Sequence, residues 1–145
     1  MIKSFIEIFE RDLLKWKEEI LAFKNEEDLW KINGELKNPA RNLTLHIIGN
    51  LNHFIGMHMG QTGYIRERDK EFSDKNIPGD KMIKNLDDAR EMVKTVLSKL
   101  NDADLQKIFP LNTFGENRNI HFVLVQLVSH LNYHLGQVNS LRRIL

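Results

Sequence analysis

Two histidines near the carboxyl end of the chain have a spacing that suits metal binding. His130 and His134 lie four residues apart, in a segment whose apolar positions, such as Leu127 and Leu141, recur at steps of three and four. On a helix, residues i and i+4 project from one side and lie about 6 Å apart along the axis. Two imidazoles at this spacing can ligate one metal ion. The alternative is a pair of core histidines whose ring nitrogens are satisfied by hydrogen bonds.

A third ligand has to come from another segment, and the second apolar segment offers candidates. His46 and His53 project about 20° apart on a helix. They are separated by roughly 10 Å along its axis, so only one of them is expected to join the site. Asn50 lies between them on the same edge and is a candidate contact for a ligand or a substrate. His58 and His121 are interpreted as structural or surface residues.

The residue types also exclude several kinds of chemistry. The chain contains no cysteine, which excludes disulfides, thiolate nucleophiles and cysteine metal ligands. Helical zinc proteases carry a glutamate directly after the first histidine of the pair, whereas Leu131 occupies that position here. Any metal must therefore be held by histidine or a carboxylate, and no residue is assigned a catalytic role.

Four periodic apolar segments are predicted to be the helices that position these residues. They cover residues 2–24, a second segment that has Asn38 as its N-terminal cap and ends near Gly60 or Gly63, a third segment capped by Asp80 that extends to residue 100, and residues 119–145. No alternating pattern typical of strands competes with them, so we expect an all-α four-helix bundle in a single domain, residues 1–145. The links 25–38, 61–79 and 101–118 are long. The link 61–79 is long enough to run the length of a helix, which allows an up-down-down-up arrangement.

Composition restricts the partners. The 21 basic and 20 acidic residues give a net charge of +1 with no concentrated basic block, which disfavours a nucleic-acid binder. No run of about 18 apolar residues is present, so no membrane span is expected. The amino-terminal segment lacks the continuous apolar stretch of a signal peptide. We therefore predict a cytoplasmic protein that binds neither nucleic acid nor membrane.

The motifs together resemble the DinB superfamily. The C-terminal match runs from His130 through His134 to Gly136-Gln137, with Arg143 downstream, and the second match is Pro39-Ala-Arg-Asn-Leu-Thr-Leu-His46. A third segment, Arg66-Glu-Arg68-Asp69-Lys-Glu71-Phe72, is similar to the R-x-R-D-x-E-F signature of one uncharacterised branch.

The resemblance implies an up-down-down-up bundle that forms a homodimer. It also implies a divalent metal, commonly zinc or nickel, on His46, His130 and His134, and so selects His46 over His53. Asn50, His53 and Gln137 are then candidates to support the ligands or to contact a small-molecule substrate. Characterised relatives include transferases and isomerases that use bacillithiol, mycothiol or glutathione.

Three functions are compatible with these residues. The first is a transferase in which a three-histidine metal site lowers the pKa of a low-molecular-weight thiol, which must be a cofactor because the chain has no cysteine. The second is a metal-dependent hydrolase, and the third is a non-catalytic metal-binding dimer. Arg66, Arg68 and Arg143 are candidates for binding a substrate carboxylate, or are surface or dimer residues.

Overall fold

The computed structural model describes residues 1–75 and 77–145, and helix is the regular secondary structure it contains there. The prediction of an all-α fold is confirmed. The α-helices are α1 (Ile2–Leu21), α2 (Ala40–Leu51), α3 (His58–Gly60), α4 (Arg68–Ser73), α5 (Gly79–Ser98) and α6 (Ile120–Ile144). A π-helix, Asn52–Met57, joins α2 to α3, so that residues 40–60 form one continuous second bundle helix. Short 3₁₀ helices lie at Glu26–Trp30 and Asp104–Gln106, and Ile108 forms an isolated bridge with Asn119.

Charged pairs on the bundle surface give the directions of α1 and α5. Glu10 accepts a hydrogen bond from Arg90 at 2.7 Å, and Lys17 donates one to Asp87 at 2.8 Å. Later residues of α1 therefore meet earlier residues of α5. The two helices are antiparallel.

The last helix runs alongside the first in the same direction. Asn132 donates a hydrogen bond to Asp12 at 2.7 Å, and Asn139 donates one to Glu19 at 2.8 Å. Both partners advance by seven residues, as they do in a parallel helix pair.

The second bundle helix is parallel to α5. Gly56 lies against Met92, and Gly60 lies against Val96. A Cβ atom at residue 60 would overlap the Val96 side chain, so the close approach of the two helices depends on a glycine there. The four long helices therefore run up, down, down and up, as predicted, with the crossover in the link before α5.

The core forms where the apolar sides of these helices meet. Trp16 is fully buried, and its indole N–H donates to the Thr44 hydroxyl at 2.8 Å. On α6 the buried line passes through Leu124, Leu131 and Val138. His130 and His134 are only half-buried beside that line, although the steps of three and four that lead from Leu127 to Leu141 pass through both of them and predict buried positions. The helix is rotated so that its leucines, which need no polar partner, take the centre of the core.

Several predicted boundaries are wrong by a few residues. α2 begins at Ala40 with Pro39 rather than Asn38 at the cap position, and α5 begins at Gly79 after Pro78. Asp80 therefore lies inside the helix, where its carboxylate accepts the Lys81 N–H. Each proline has φ near −60°, a value that already suits a helix start.

The long link between α3 and α5 is not wholly irregular, since α4 forms within it. This short helix packs on α2, and it matters for the site described below. Among the described residues, no helix is long and apolar enough to cross a bilayer.

Candidate metal centre

Three imidazole rings converge between the second bundle helix and α6. His46 projects from α2, and His130 and His134 project from consecutive turns of α6. The His130 Nε2 atom lies 3.1 Å from the His46 Nε2 atom and 3.1 Å from the His134 Nε2 atom. The candidate ligand atoms of the three rings all lie within 4.8 Å of one another. The structure thus brings together the three histidines that the resemblance selected.

The separations between these nitrogen atoms suit coordination to one ion. Tetrahedral zinc binds imidazole nitrogen at about 2.0–2.1 Å, which places two ligand nitrogens about 3.3 Å apart. The observed separations of 3.1 Å are close to that value. Two of the three nitrogen–nitrogen separations therefore already match those around a single coordinated ion.

Hydrogen bonds on the far side of two rings orient their lone pairs inward. The His46 Nδ1 atom lies 3.0 Å from a carboxylate oxygen of Glu71, and the His134 Nδ1 atom lies 2.6 Å from the amide oxygen of Gln137. An ionised carboxylate and an amide oxygen can only accept, so each Nδ1 carries the proton and donates it. The Nε2 atoms of His46 and His134 are then unprotonated in the neutral rings, as a metal ligand requires.

His130 lies between the other two rings and lacks such support. Its buried Nδ1 atom has no hydrogen-bond partner among the described residues. The His130 Nε2 atom faces the Nε2 lone pairs of both His46 and His134. A proton on the His130 Nε2 atom can be donated to only one of them. A cation resolves this arrangement, because it accepts all three lone pairs at once. Three imidazoles suit zinc, nickel, copper or iron.

Burial keeps the two α6 rings neutral. Burial lowers the pKa of His130 to about 4. Repulsion by the protonated forms of His134 and His46, and then by Arg66 and Arg68, adds to the effect. Burial also lowers the pKa of His134, against the hydrogen bond that its ring donates to Gln137, which raises it. At neutral pH both rings are therefore available as ligands.

Glu71 is itself held by an arginine. Its carboxylate accepts hydrogen bonds from the Arg66 Nε atom at 2.9 Å and from the Arg66 Nη2 atom at 3.0 Å. Burial alone would raise the pKa of Glu71. The hydrogen bonds from His46 and Arg66, together with the Arg66 charge, outweigh burial and hold this pKa below its usual range. Glu71 is therefore an anion at neutral pH, fixed between His46 and Arg66.

A glycine of α2 makes room for this carboxylate. Glu71 belongs to α4, in the crossover link, and its carboxylate lies directly over Gly49. A Cβ atom at residue 49 would overlap a carboxylate oxygen of Glu71. The absence of a side chain at residue 49 therefore lets Glu71 reach the ring of His46, which lies three residues earlier on the same helix.

A cavity of about 280 Å³ opens beside the histidines. Its lining includes His46, His130, Asn50 and Phe54 from the two bundle helices. The remaining lining residues come from α6, from the crossover and from the loop before α6: Arg66, Arg68, Thr113, Phe114, Gln126 and Leu127. The cavity is slightly smaller than the usual range for small-molecule sites, about 300–1,000 Å³.

A comparison with known protein families matches nearly the whole chain. The family described as "Protein of unknown function (DUF1572)" matches residues 2–145. The chain belongs to this family. No curated protein and no solved structure gives a significant match. The family description names no activity, so the relation to the DinB superfamily and the reaction stay predictions.

His53 does not join the cluster in this DUF1572 protein. It lies in the π-helix, which replaces α-helical geometry from Asn52 onward and changes the direction of the side chains that follow. Phe54 lines the cavity instead. The His53 ring packs edge-on against His58, with ring centroids 4.7 Å apart.

The other polar candidates have separate roles. Asn50 is 6% exposed and lines the cavity, and Gln137 contacts His134. Arg66 binds a carboxylate of its own chain, Glu71, and is not a surface residue. Arg68 is exposed at the cavity, whereas Arg143 is exposed near the end of α6 and does not line the cavity.

Sequence reasoning did not assign roles to Glu71 and Gly49. Glu71 was noted only as part of the R-x-R-D-x-E-F segment, and its partner His46 is 25 residues away in the chain. The available signal was that this segment combines arginines with acidic residues in a link expected to be irregular. His121, interpreted as structural or surface, packs edge-on against Phe5 at 5.6 Å between ring centroids.

Proposed function

We propose that this protein is a metal-dependent transferase that activates a low-molecular-weight thiol at a three-histidine site. The ligands would be the Nε2 atoms of His46, His130 and His134, and the metal would be zinc or nickel. The observation that carries the proposal is that the His130 Nε2 atom lies 3.1 Å from the Nε2 atoms of both His46 and His134, and that the Nδ1 atoms of these two rings are fixed by acceptors. The alternative, core histidines satisfied by hydrogen bonds, does not require ring nitrogens of three histidines to face one another.

The residues around the ligands support this chemistry. A divalent metal on three histidines keeps a coordination position open and lowers the pKa of a thiol or water bound there. Glu71 and Gln137 hold two rings in the tautomer that donates to a metal. The adjacent cavity gives a small molecule access to His46 and His130.

The choice of a thiol is supported by the DinB resemblance and by the composition. The chain contains no cysteine, so a thiol has to be supplied by a small molecule such as bacillithiol, mycothiol or glutathione. A metal-dependent hydrolase would use the same open position for water. The two reactions differ in their requirement for the thiol, and an assay can therefore separate them.

Elemental analysis of the natively purified protein is the first test. We expect about one equivalent of zinc or nickel per chain, and saturable transfer activity when a thiol is supplied with an electrophilic acceptor. Hydrolysis without any thiol would favour the hydrolase, and metal-dependent melting without activity would favour a non-catalytic metal-binding protein. Protein that is free of metal as purified, and whose melting temperature ignores chelator, would contradict the metal site.

A homodimer is the second part of the proposal. The apolar residues of the second bundle helix, such as Leu43 and Ile47, are buried within the chain and do not form a surface for a second copy. Support comes instead from the DinB resemblance and from α6. Residues 119–141 contain no Asp, Glu, Lys or Arg, and their outer face exposes Val125 and Tyr133.

Light scattering in dilute solution tests the dimer. We expect twice the chain mass of 17.1 kDa, and the chain mass for the Tyr133→Glu variant, because a charge would be buried in the interface. Wild-type protein that scatters as 17.1 kDa contradicts the homodimer.

A further inference from the structure

The cavity beside the histidines has an uneven charge distribution. Its lining contains two arginines and no carboxylate. Glu71 neutralises Arg66 through two hydrogen bonds, at 2.9 and 3.0 Å. Arg68 has no ion pair among the described residues, and its guanidinium lies over the Phe72 ring at 5.4 Å from the centroid. One arginine thus belongs to the support of His46, and the other is free to meet a ligand.

A second polar group in the cavity also lacks a partner. Asn50 is only 6% exposed, and its buried Oδ1 atom has no hydrogen-bond partner among the described residues. A buried acceptor without a donor is unfavourable, because it has given up its hydrogen bonds to water without replacing them. A ligand that brings an N–H or O–H group to this oxygen would remove that penalty.

The rest of the lining is apolar and aromatic. Phe54 and Phe114 pack edge-on with centroids 4.8 Å apart, and Leu127 lies in the same wall. These side chains can pack against the carbon skeleton of a small molecule. The cavity therefore combines one unpaired cation, one unpaired acceptor and an apolar wall next to the histidines.

We propose that the substrate or cofactor is a small organic anion whose carboxylate pairs with Arg68 and whose N–H group donates to the Asn50 Oδ1 atom. The inference rests on the proposed function, since it assumes that the same molecule reaches a metal on the three histidines. Arg68 and Asn50 are then specificity-determining residues. A neutral molecule of the same length lacks the charge-assisted contact and binds more weakly.

Three simple thiols test the two contacts separately. 3-Mercaptopropionate carries the carboxylate, and 3-mercapto-1-propanol is a neutral thiol of the same length. N-Acetylcysteine has the skeleton of 3-mercaptopropionate with an added amide N–H. Each is titrated into cobalt(II)-loaded protein, and the dissociation constant is read from the charge-transfer absorption between thiolate and cobalt.

Wild-type protein is expected to bind 3-mercaptopropionate about 10-fold more tightly than 3-mercapto-1-propanol. Arg68→Gln should reduce this ratio to near 1. Arg143→Gln removes the same charge from an exposed position away from the cavity and should keep the wild-type ratio. Each ratio is measured within one variant, so a loss of folded protein cancels. An unchanged ratio in Arg68→Gln would overturn the role of Arg68.

N-Acetylcysteine is expected to bind wild-type protein about 3-fold more tightly than 3-mercaptopropionate. Asn50→Leu should abolish this advantage, and Asn50→Ser is the second variant in case the leucine disturbs folding. Equal advantages in wild type and in both variants would overturn the role of Asn50. The cobalt spectrum before any thiol is added reports the histidine site alone. Its absence in wild type contradicts the proposed function, and this inference falls with it.

Discussion

The molecule contains two clusters of histidines, and they differ in how their rings are held. In the first cluster the His130 Nε2 atom lies 3.1 Å from the Nε2 atoms of both His46 and His134. His53 and His58 are equally close as rings, with centroids 4.7 Å apart, and they meet edge-on as the rings of the first cluster do. Among the described residues, however, no nitrogen of His53 lies within hydrogen-bond distance of a nitrogen of His58. Acceptors for Nδ1 stand behind two rings of the first cluster, whereas no hydrogen bond to either ring of the second occurs among the described residues.

The difference shows that ring proximity does not define a metal site. Burial lowers the pKa of His53, with repulsion by His58 and Arg66 adding to it, so this ring is neutral at pH 7 like those of His130 and His134. What the second cluster lacks is a common point for the nitrogens and a partner that fixes the tautomer. The first cluster has both, and the predictions below test that difference.

Removal of a ligand should have the largest effect. His46→Ala, His130→Ala and His134→Ala should each abolish stoichiometric metal binding, because two imidazoles remain where three converge. The loss should exceed the 10–100-fold change typical of residues that only support a ligand. Competition with a chromophoric chelator measures the affinity.

His53→Ala and His58→Ala are the matched controls from the other cluster. Both should bind metal as wild type does, since neither ring joins the converging nitrogens. If His53→Ala loses the metal while His46→Ala retains it, the assignment of His46 is wrong.

The second-largest effect should come from removal of the metal, which lowers the free energy of unfolding. A ligand at 100 times its dissociation constant stabilises the folded state by about 2.7 kcal/mol. For a chain of 145 residues this corresponds to a fall of about 5–10 °C in melting temperature when a chelator is added at pH 7.5. Calorimetry with and without chelator measures the shift. A shift of zero in metal-containing protein would contradict a link between the metal and the fold.

The chelator effect should persist at pH 6 and disappear toward pH 4. Protons compete with the metal for the imidazoles, and the lowered pKa values of His130 and His134 delay that competition. The stability of the metal-free protein should also fall as the pH is lowered. A histidine with a pKa near 4 when folded and about 6.5 when unfolded contributes stability above pH 6.5 and loses it as the pH falls toward 4.

Much of the fold could be predicted from the sequence because bundle helices carry their own periodic signal. The spacing of apolar residues by three and four positions predicts the bounds of α1, α5 and α6 to within a few residues. The π-helix at Asn52–Met57 could not be predicted in this way, because its residues fit an α-helical pattern equally well. The expectation that only one of His46 and His53 joins the site rested on their axial separation alone and did not depend on this insertion.

The site was predictable only in part. The i, i+4 spacing of His130 and His134 is a local signal, and helical geometry turns it into a pair of ligands. The choice of His46 needed the resemblance to a family. Glu71 needed the tertiary fold, since the crossover link folds back over α2 and the contact depends on the missing side chain of Gly49.

The support of His46 by Glu71 should contribute less than a ligand. Glu71→Gln removes the charge opposite His46 and Arg66, and the metal affinity should fall by about 10–100-fold. Gly49→Ala should act in the same direction, because the new Cβ atom displaces the carboxylate. Chelator competition measures both variants.

Gly136→Ala is the control for the glycine substitution. Gly136 lies on α6, and a Cβ atom there meets nothing within 4 Å. The helix should gain about 0.5–1 kcal/mol from the more favourable residue, with metal affinity unchanged. Equal metal affinity in Gly49→Ala and Gly136→Ala would show that the position of Glu71 does not matter to the site.

The smallest effect is expected at Gln137. Its amide oxygen accepts the His134 Nδ1–H bond at 2.6 Å, but it is neutral and half-buried, so water can replace it. Gln137→Ala should therefore lower metal affinity by at most about 10-fold, at the lower end of the range for residues that support a ligand. Gln137→Glu supplies a stronger acceptor for the same N–H group and should restore or exceed the wild-type affinity. If Gln137→Ala instead loses the metal as completely as His134→Ala, then Gln137 is itself a ligand and not a residue that only supports His134.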